Sequence, residues 1–508
     1  MTVKAFSLKP KVTTFAILSR LFVLTLSCLS NNLIPDHNSD AFISPSNPYE
    51  KNATVCDSIV NFLFGGINRW DAQYFLHISR YGYTFENCLA FFPTYPILTH
   101  LTSRILYIPL SIILNETSVT TFCAVAINFY FFVKAAEVLY DLTEKLFKNC
   151  QLAYVASIMF CVNPASIFFS APYSETLFSF FSFYGMYLSV SDHGILCSVP
   201  LGLSASVRSN GILNTWFPLF KIANNVFQRL SNKLKSDKRI VKRTDVIDAD
   251  GSFLNLFLKA VLVTVISLAP FFAFQAYCYS KYCKADTYDI AAFLAIFAHE
   301  KDFVLPGSRY LPWCDDKLIL PYMYVQQHYW NVGFLRYYEF KQIPNFILAA
   351  PVIFLIFTMT FCFVSLHMNF NIRFLNLKVE SSSGMPLNIL PFIAHAAGLT
   401  IFCLLNIHVQ VTTRMVASSS PVLYWFSAYV LTGKLHISNE ACKKQDKKDV
   451  SKKKTKSVEF ETKFEDWWNI LFVTFDIPQK MFSKFIKIYF ISYLIIGTIL
   501  FSNFYPWT

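Results

Sequence analysis

The chain has 508 residues, of which 54% are hydrophobic, 18% aromatic and only 15% charged, with a net charge of +12. A soluble domain carries roughly 25% charged residues, so the composition excludes a water-soluble globular enzyme and points to a protein dissolved in lipid. The 13 cysteines include no CxxC pair and no zinc-finger spacing, so neither a redox motif nor a structural zinc site is read.

The first apolar run, "TTFAILSRLFVLTLSCLSNNLI" (13–34), is long enough to cross the hydrocarbon core as a helix. It lacks a small-residue cleavage site and reads as a retained span, not a signal peptide. Lys4, Lys9 and Lys11 ahead of it hold the N-terminus in the cytosol. Residues 35–95 then form a first external loop. Its part from 35 to 90 holds six acids and three bases, a net −3. Cys56, Cys88, Cys283 and Cys314 fall in loops where disulfides are possible, with no pairing legible. Asn52 and Asn115 open Asn-x-Thr sequons and are candidate glycosylation sites.

A second span covers 118–139. Beyond it two layouts fit. In one, 95–114 crosses the membrane and 196–217 is a single span. In the other, 95–114 lies at the surface and 196–217 breaks at Arg208–Gly211 into two short spans. The two layouts place Tyr173 to Glu175 on opposite sides; Lys145 and Lys148 favour the second. A basic linker follows at 221–250; its stretch 221–243 holds eight Lys/Arg and one Asp, +7. A span at 253–277 leads to a second external loop, 280–343. Spans near 344–366, 386–407 and 411–432 return the chain to a lysine-rich cytosolic loop, 434–480. Residues 434–456 of that loop hold nine Lys and three acids, +6. The last span is 482–504. The expectation is one all-α membrane domain over 1–508 with about eleven transmembrane helices. Neither basic loop has interleaved aromatics, so they read as topology signals and not as nucleic-acid sites.

Charged groups next to lipid are costly and invite a functional reading. Four clusters qualify. The first is Arg69-Trp70-Asp71 with Tyr74, His77 and Glu86, followed by "AFFPTYP" (90–96). The second is "NPASIFFSAPYSETLF" (163–178), with Tyr173, Ser174 and Glu175 between two apolar runs. The third is "SVRSNG" (206–211), with Arg208 and Asn210. The fourth gathers His328, Trp330, Asn331, Arg336, His408, Gln410 and Arg414 at the outer boundary. The bland readings stand beside these. Tryptophan and tyrosine at a boundary are often interfacial anchors, and Asp71 has Arg69 and Arg80 nearby for an ordinary salt bridge. Arg208 and Arg414 need a carboxylate or a phosphate, and their fork fits either.

The chain has no GxxxxGK[ST], HExxH or GxSxG motif, and its one DxD (Asp248, Asp250) lies in a linker. A transferase built this way needs a lipid-borne donor. A sugar on a lipid phosphate already has a good leaving group, so the remaining task is to take a proton from the acceptor hydroxyl. One carboxylate, Asp71, can do that, with Arg208 or Arg414 aiding the departing phosphate.

At these residues the chain resembles the PIG-V family of GPI mannosyltransferases. The likeness runs through "RWDAQYFLHISRYGY", "AFFPTYP", "NPASIFFSAPYSE", "VRSNG", "YWNVGFLRYYEFKQIPNFILAAPV", "HVQVTTR", "SSSPVLYWF" and the terminal "NFYPWT". It departs at the lysine-rich 443–456 and the linker 231–250. The resemblance implies a lipid-sugar-dependent GT-C fold in the endoplasmic reticulum membrane, with luminal loops carrying the active site. It implies α-1,6 transfer of the second mannose onto a GPI precursor from dolichyl-phosphate mannose, inverting, with Asp71 as base. No metal and no further cofactor are expected. Arg69, Trp70, Glu86, Tyr173, Glu175, Arg208, Asn210, His328, Trp330, Asn331, His408, Gln410 and Arg414 are the candidate substrate-binding residues. The partners are the two lipid substrates, with room for a small accessory membrane subunit. The alternatives are a transporter or flippase of lipid-linked sugars, a mannosyltransferase for another lipid-linked glycan, or a non-catalytic subunit.

Overall fold

The computed structural model describes residues 8–236, 244–284, 290–316, 320–368, 386–432 and 479–507. The lysine-rich loop up to residue 478 and residues 237–243 of the basic linker lie outside them. All regular structure among the described residues is helical. In chain order the helices are α1 (Lys9–Leu33), α2 (Val55–Phe64), α3 (Asp71–Tyr81), α4 (Thr94–Leu110), α5 (Glu116–Phe147), α6 (Cys150–Cys161), α7 (Glu175–Val190), α8 (Ser198–Val207) and α9 (Trp216–Ser236). They continue with α10 (Thr244–Cys283), α11 (Ala292–Glu300), α12 (Pro321–Trp330), α13 (Ile343–Met368), α14 (Leu390–Asn406), α15 (Thr412–Ser419), α16 (Val422–Thr432) and α17 (Gln479–Ser502).

Six helical stretches among the described residues are long and apolar enough to cross a bilayer: Lys9–Leu33, Glu116–Phe147, Phe253–Cys283, Phe340–Val364, Leu387–Asn406 and Met481–Ser502. The chain is a multi-span, all-α membrane protein. Its outer surface says the same. On α10, Leu254, Phe257, Leu258 and Val265 are all exposed. A row of bare apolar side chains suits hydrocarbon, where the helix satisfies its own backbone.

Two breaks in the helices shape the site. The stretch 411–432, expected as one span, is two helices. Ser420 is extended (φ −115°, ψ 110°) between α15 and α16. Pro421 is the cause, because proline disfavours helix in the residue before it and has no N–H to donate. The stretch 196–217 breaks as well. Arg208 is extended (φ −151°, ψ 146°) after α8, and a 3₁₀ segment, Ser209–Thr215, leads into α9. Gly211 permits that turn: a Cβ there would lie 2.5 Å from backbone atoms of Ser204 and Ala205. Any side chain would push the returning chain off α8.

The turn between α4 and α5 rests on the loop that precedes α3. The Asn115 amide donates to Asp57 Oδ1 at 2.9 Å, and the Thr54 hydroxyl donates to the Ile113 carbonyl at 2.7 Å.

Two apolar cores divide the labour. The larger joins α1, α5, α6, α7, α16 and α17 around Phe132, Tyr140, Phe160, Phe169 and Trp425. The smaller fuses the two long loops. Tyr83, Phe85 and Phe92 of the first pack with Phe271, Phe274 and Tyr282 of α10 and with Trp313 and Val325 of the second. Cys283 and Cys314 form a disulfide within that layer (Cα–Cα 5.7 Å), while Cys56 and Cys88 are free.

Candidate active site

Asp71 opens α3. Ahead of it Trp70 holds φ 56°, ψ −130°, a backbone region that a bulky side chain seldom enters. Such strain persists only when the surroundings enforce it, and it collects at functional sites. Here the enforcing contacts are visible. The Asp71 amide donates to the Tyr173 hydroxyl at 3.0 Å. The Trp70 ring meets Phe504 edge-on at 5.9 Å. As the first residue of a helix, Asp71 also gains from the positive end of the helix dipole.

Four charged side chains run in a row from this point. Arg414 Nη1 donates to Asp71 Oδ2 at 3.0 Å. Arg414 Nε lies 3.5 Å from Glu175 Oε1, and the same carboxylate pairs with Arg208 Nη1. Glu175 is wholly buried, whereas the Asp71 side chain keeps 30% of its surface. Oδ1 of Asp71 has no hydrogen-bond partner among the described residues. The row thus ends in one open carboxylate oxygen, with two guanidiniums behind it held apart by a buried carboxylate.

Each helix contributes a terminus. Glu175 is the first residue of α7, Arg208 sits in the break after α8, and Arg414 lies in the first turn of α15. The loop 171–173 is fixed from α5: the Asn128 side-chain amide donates to the Ala171 and Tyr173 carbonyls. The Arg414 guanidinium also lies over Phe168, 5.3 Å from the ring centre.

A second group forms beside the first. Trp330, Asn331, Arg336, Tyr337, Glu339, Lys341, Gln342 and His408 line an open cavity of about 160 Å³. His408 stacks on Tyr337 at 4.5 Å. Its imidazole pKa is held below the usual value by burial, against a hydrogen bond to the Trp330 backbone. An aromatic chain links the two groups, because Trp330 meets both Tyr74 of α3 (6.2 Å) and Phe91 (6.1 Å).

The mannosyltransferase (PIG-V) family pattern matches residues 9–508. The chain belongs to that family. It is 34% identical to "GPI mannosyltransferase 2" of Drosophila pseudoobscura pseudoobscura, over 98% of this chain and 99% of that one. It is 33% identical to "GPI alpha-1,6-mannosyltransferase 2" of Mus musculus over 98% of both chains. Against the protein of that name in Homo sapiens it is 31% identical, over 98% of this chain and 99% of the other. The resemblance read from the motifs is thereby established, and the chain is a glycosyltransferase.

In this mannosyltransferase the candidate residues of the sequence fall into two classes. Asp71, Tyr173, Glu175, Arg208 and Arg414 converge on one point. Trp330, Asn331 and His408 line the neighbouring cavity, and Gln410 stands behind it, accepting from the Tyr337 hydroxyl at 3.2 Å. Tyr173 and Glu175 lie beside Asp71 and Arg414. The simple salt bridges considered for Asp71 are not formed: Arg69 pairs with Asp36 at 2.9 Å and Arg80 with Glu50 at 2.8 Å.

Other candidates are committed elsewhere. Arg69 also donates to Asn31 at 2.6 Å and lies over the Phe504 ring, so it ties α1 and the C-terminus to the loop. Glu86 is buried and accepts from Trp313 Nε1 at 2.7 Å and the Tyr329 hydroxyl at 2.6 Å, which fastens the two long loops together. Asn210 is buried beside Arg208 with its amide nitrogen unpartnered among the described residues. His328 is exposed and stacks on Tyr324 at 5.3 Å. Of the sequon asparagines, Asn52 is exposed, while Asn115 caps α5 by accepting from the Ser118 amide at 2.8 Å.

Two site residues, Tyr322 and Phe501, were not singled out in the sequence, whereas Ser174 was, with Tyr173 and Glu175. Ser174 accepts from Arg208 at 3.3 Å, and the Tyr322 hydroxyl accepts from Ser209 at 2.8 Å, next to the α8 break. Phe501 of the C-terminal segment packs edge-on against Tyr173 at 5.7 Å. An isolated Tyr in a loop or a Phe in a span carries no signal of the kind that marked Ser174.

Proposed function

We propose that this mannosyltransferase transfers the second mannose, in α-1,6 linkage, to a GPI-anchor precursor, with dolichyl-phosphate mannose as donor and Asp71 as general base. The GPI acceptor and the linkage come from the names of its relatives, and the donor from the kinship with lipid-sugar-dependent enzymes. The chemical part rests on one observation: Asp71 offers a free Oδ1 at the open end of a row that contains two guanidiniums.

The steps follow from that geometry. Arg414 holds Oδ2 and orients the carboxylate. Oδ1 accepts a hydrogen bond from the acceptor hydroxyl. As that oxygen attacks the anomeric carbon, its proton passes to Asp71 and the bond between that carbon and the phosphate oxygen breaks. The charge growing on the phosphate is met by Arg208 and Arg414, whose forks match its oxygens. Glu175 keeps both guanidiniums in place. One displacement inverts the centre, so a β-linked donor gives an α-linked product. No metal ion enters this scheme. General-base help of this kind contributes about 10²–10⁴-fold in rate.

The topology belongs to the same reading. The six long helices, the shorter α6, α7 and α8, the 3₁₀ segment Ser209–Thr215 with the apolar start of α9, and the α15–α16 pair would give eleven crossings in the endoplasmic reticulum membrane. Asp71, Glu175 and Arg208 then share the luminal boundary, opposite the basic linker. The test is Asp71→Asn expressed in cells that lack the enzyme. GPI-anchored proteins should stay absent from the surface while the variant accumulates normally. Restored display at normal protein level would overturn the assignment.

A further inference from the structure

We propose that the cavity beside Trp330 is the seat of the acceptor lipid's phosphate, with Arg336 as its anchor. This rests on the reading above and adds a second anionic subsite to it.

Arg336 stands out by its partners. Arg69, Arg80, Arg104, Arg208, Arg309 and Arg414 each lie within ion-pair distance of a carboxylate. Arg336 has none among the described residues, yet its side chain is shaped by neutral acceptors. Nη1 reaches Asn331 Oδ1 at 3.4 Å. With its amide turned so that Oε1 faces the guanidinium, Gln327 accepts from Nη2 at 3.1 Å and Nη1 at 3.2 Å. A guanidinium positioned by amides keeps its full charge for a ligand, and its fork matches phosphate oxygens.

The local backbone is built for this fold-back. Asn331 and Leu335 hold φ 51° and 55°, and the Leu335 amide is pinned to the Leu405 carbonyl at 2.7 Å. Arg336 then lies across Gly333, where a Cβ would come within 2.8 Å of its Cδ. Lys341 brings a second cation to the cavity, and Glu339, which also lines it, offsets that cation at 2.6 Å. The unmatched charge is that of Arg336. Trp330 and the stacked Tyr337–His408 pair offer flat faces to a polyhydroxylated ring next to the phosphate.

Distance decides which lipid this phosphate belongs to. The cavity touches His408, and Asp71 is reached through Arg414, six residues on. The backbone between His408 and Arg414, the 3₁₀ turn Val409–Val411 and the start of α15, rises by roughly 10 Å. The donor's phosphate is bonded directly to the carbon under attack, so it must lie beside Asp71, where Arg208 and Arg414 stand. The acceptor carries its phosphate beyond further sugar and inositol rings, and only that one fits a site so far removed.

The experiment uses membranes from cells lacking the endogenous enzyme and expressing the full chain. It compares two synthetic acceptors, mannosyl-glucosaminyl-inositol with its phospholipid and the same glycan on an alkyl chain without phosphate. Wild type should show a KM about 10–100-fold lower for the phosphate-bearing acceptor. Arg336→Gln should abolish that preference, Arg336→Lys should keep part of it, and kcat and the donor KM should stay within twofold of wild type. An Arg336→Gln enzyme that retains the preference, or that raises the donor KM instead, would overturn the inference. So would a wild-type enzyme indifferent to the phosphate. If wild type mannosylates neither acceptor, the parent reading fails first.

Discussion

Arg414 and Asp71 stand 343 residues apart in the chain and meet through a 3.0 Å hydrogen bond. The bond engages one carboxylate oxygen and leaves the other open. Asp71→Asn preserves size and the helix-start position but cannot take a proton. It is expected to lower kcat about 10²–10⁴-fold with little change in the donor KM. Asp71→Glu, which moves the carboxylate by one methylene, should fall between the two. Initial rates in membranes with labelled donor measure both. A loss below tenfold for Asp71→Asn would remove it from the base role.

Glu175 is the buried member of the row and serves two arginines at once. Replacing it with Gln leaves Arg208 without a carboxylate and Arg414 with Asp71 alone. Breaking a buried pair from one side typically costs about 3–5 kcal/mol. Glu175→Gln should therefore lower the melting temperature in detergent by several degrees, and activity with it. The double variant Glu175→Gln/Arg208→Met should lose clearly less stability than the two single losses added together, because each removes the other's unpaired partner. Additive losses would show that the two side chains act independently.

The members of the site were readable because charge in an apolar run is expensive, so each one announces a task. Arg208, Glu175 and Arg414 were found that way. Which carboxylate meets which arginine was not readable, since that depends on how termini of α3, α7, α8 and α15 converge. Arg20 shows the opposite failure. It lies in the middle of the first apolar run and carried the same signal, but the run was read only for its length. The split of 411–432 was announced by Pro421 and hidden by the surrounding hydrophobicity. Glu86 looked like a ligand contact because acidic residues in external loops often are; its two aromatic donors come from a loop more than 200 residues away.

Arg20 should prove structural. It is fully buried and donates to the Cys161 carbonyl at 2.9 Å, the Ser166 carbonyl at 2.8 Å and the Ser170 hydroxyl at 3.0 Å. These groups belong to the loop that delivers Tyr173 to Asp71. Arg20→Met fills similar space but leaves those acceptors unpaired, at about 1–3 kcal/mol for each. The expected result is a sharp fall in protein abundance. Whatever enzyme survives should show reduced kcat with unchanged KM for both lipids. Wild-type abundance would contradict the assigned role.

Glu86 joins the loops, and the expectation is that its role is structural. Glu86→Gln keeps one acceptor oxygen and should be tolerated better than Glu86→Ala, which strands Trp313 Nε1 and the Tyr329 hydroxyl. Glu86→Ala is expected to lose about 2–6 kcal/mol, at 1–3 for each orphaned donor. The readout that separates this from substrate binding is KM for either lipid, which should not move in the purified survivor. A KM raised tenfold would restore Glu86 to the binding site.

His77 supplies a pH dependence whose sign can be worked out. It is buried in α3, stacked on Phe85 at 4.8 Å, with its ring nitrogens against Ser44 Oγ at 2.9 Å and Thr84 Oγ1 at 2.6 Å. Burial first, and the nearby Arg80 charge second, lower its pKa to about 3. The unfolded chain keeps a value near 6.5. Above that pH both states are neutral at this residue and stability is independent of it. Below it the unfolded chain takes up a proton that the folded protein refuses, so stability falls as pH drops from about 6.5 toward 3. The limiting slope is about 1.4 kcal/mol per pH unit. Melting temperatures in detergent at pH 7.5, 6.5, 5.5 and 4.5 measure it. His77→Gln should be less stable than wild type at pH 7.5 and show a shallower decline below pH 6.5. Parallel declines for the two proteins would assign the acid sensitivity to other groups.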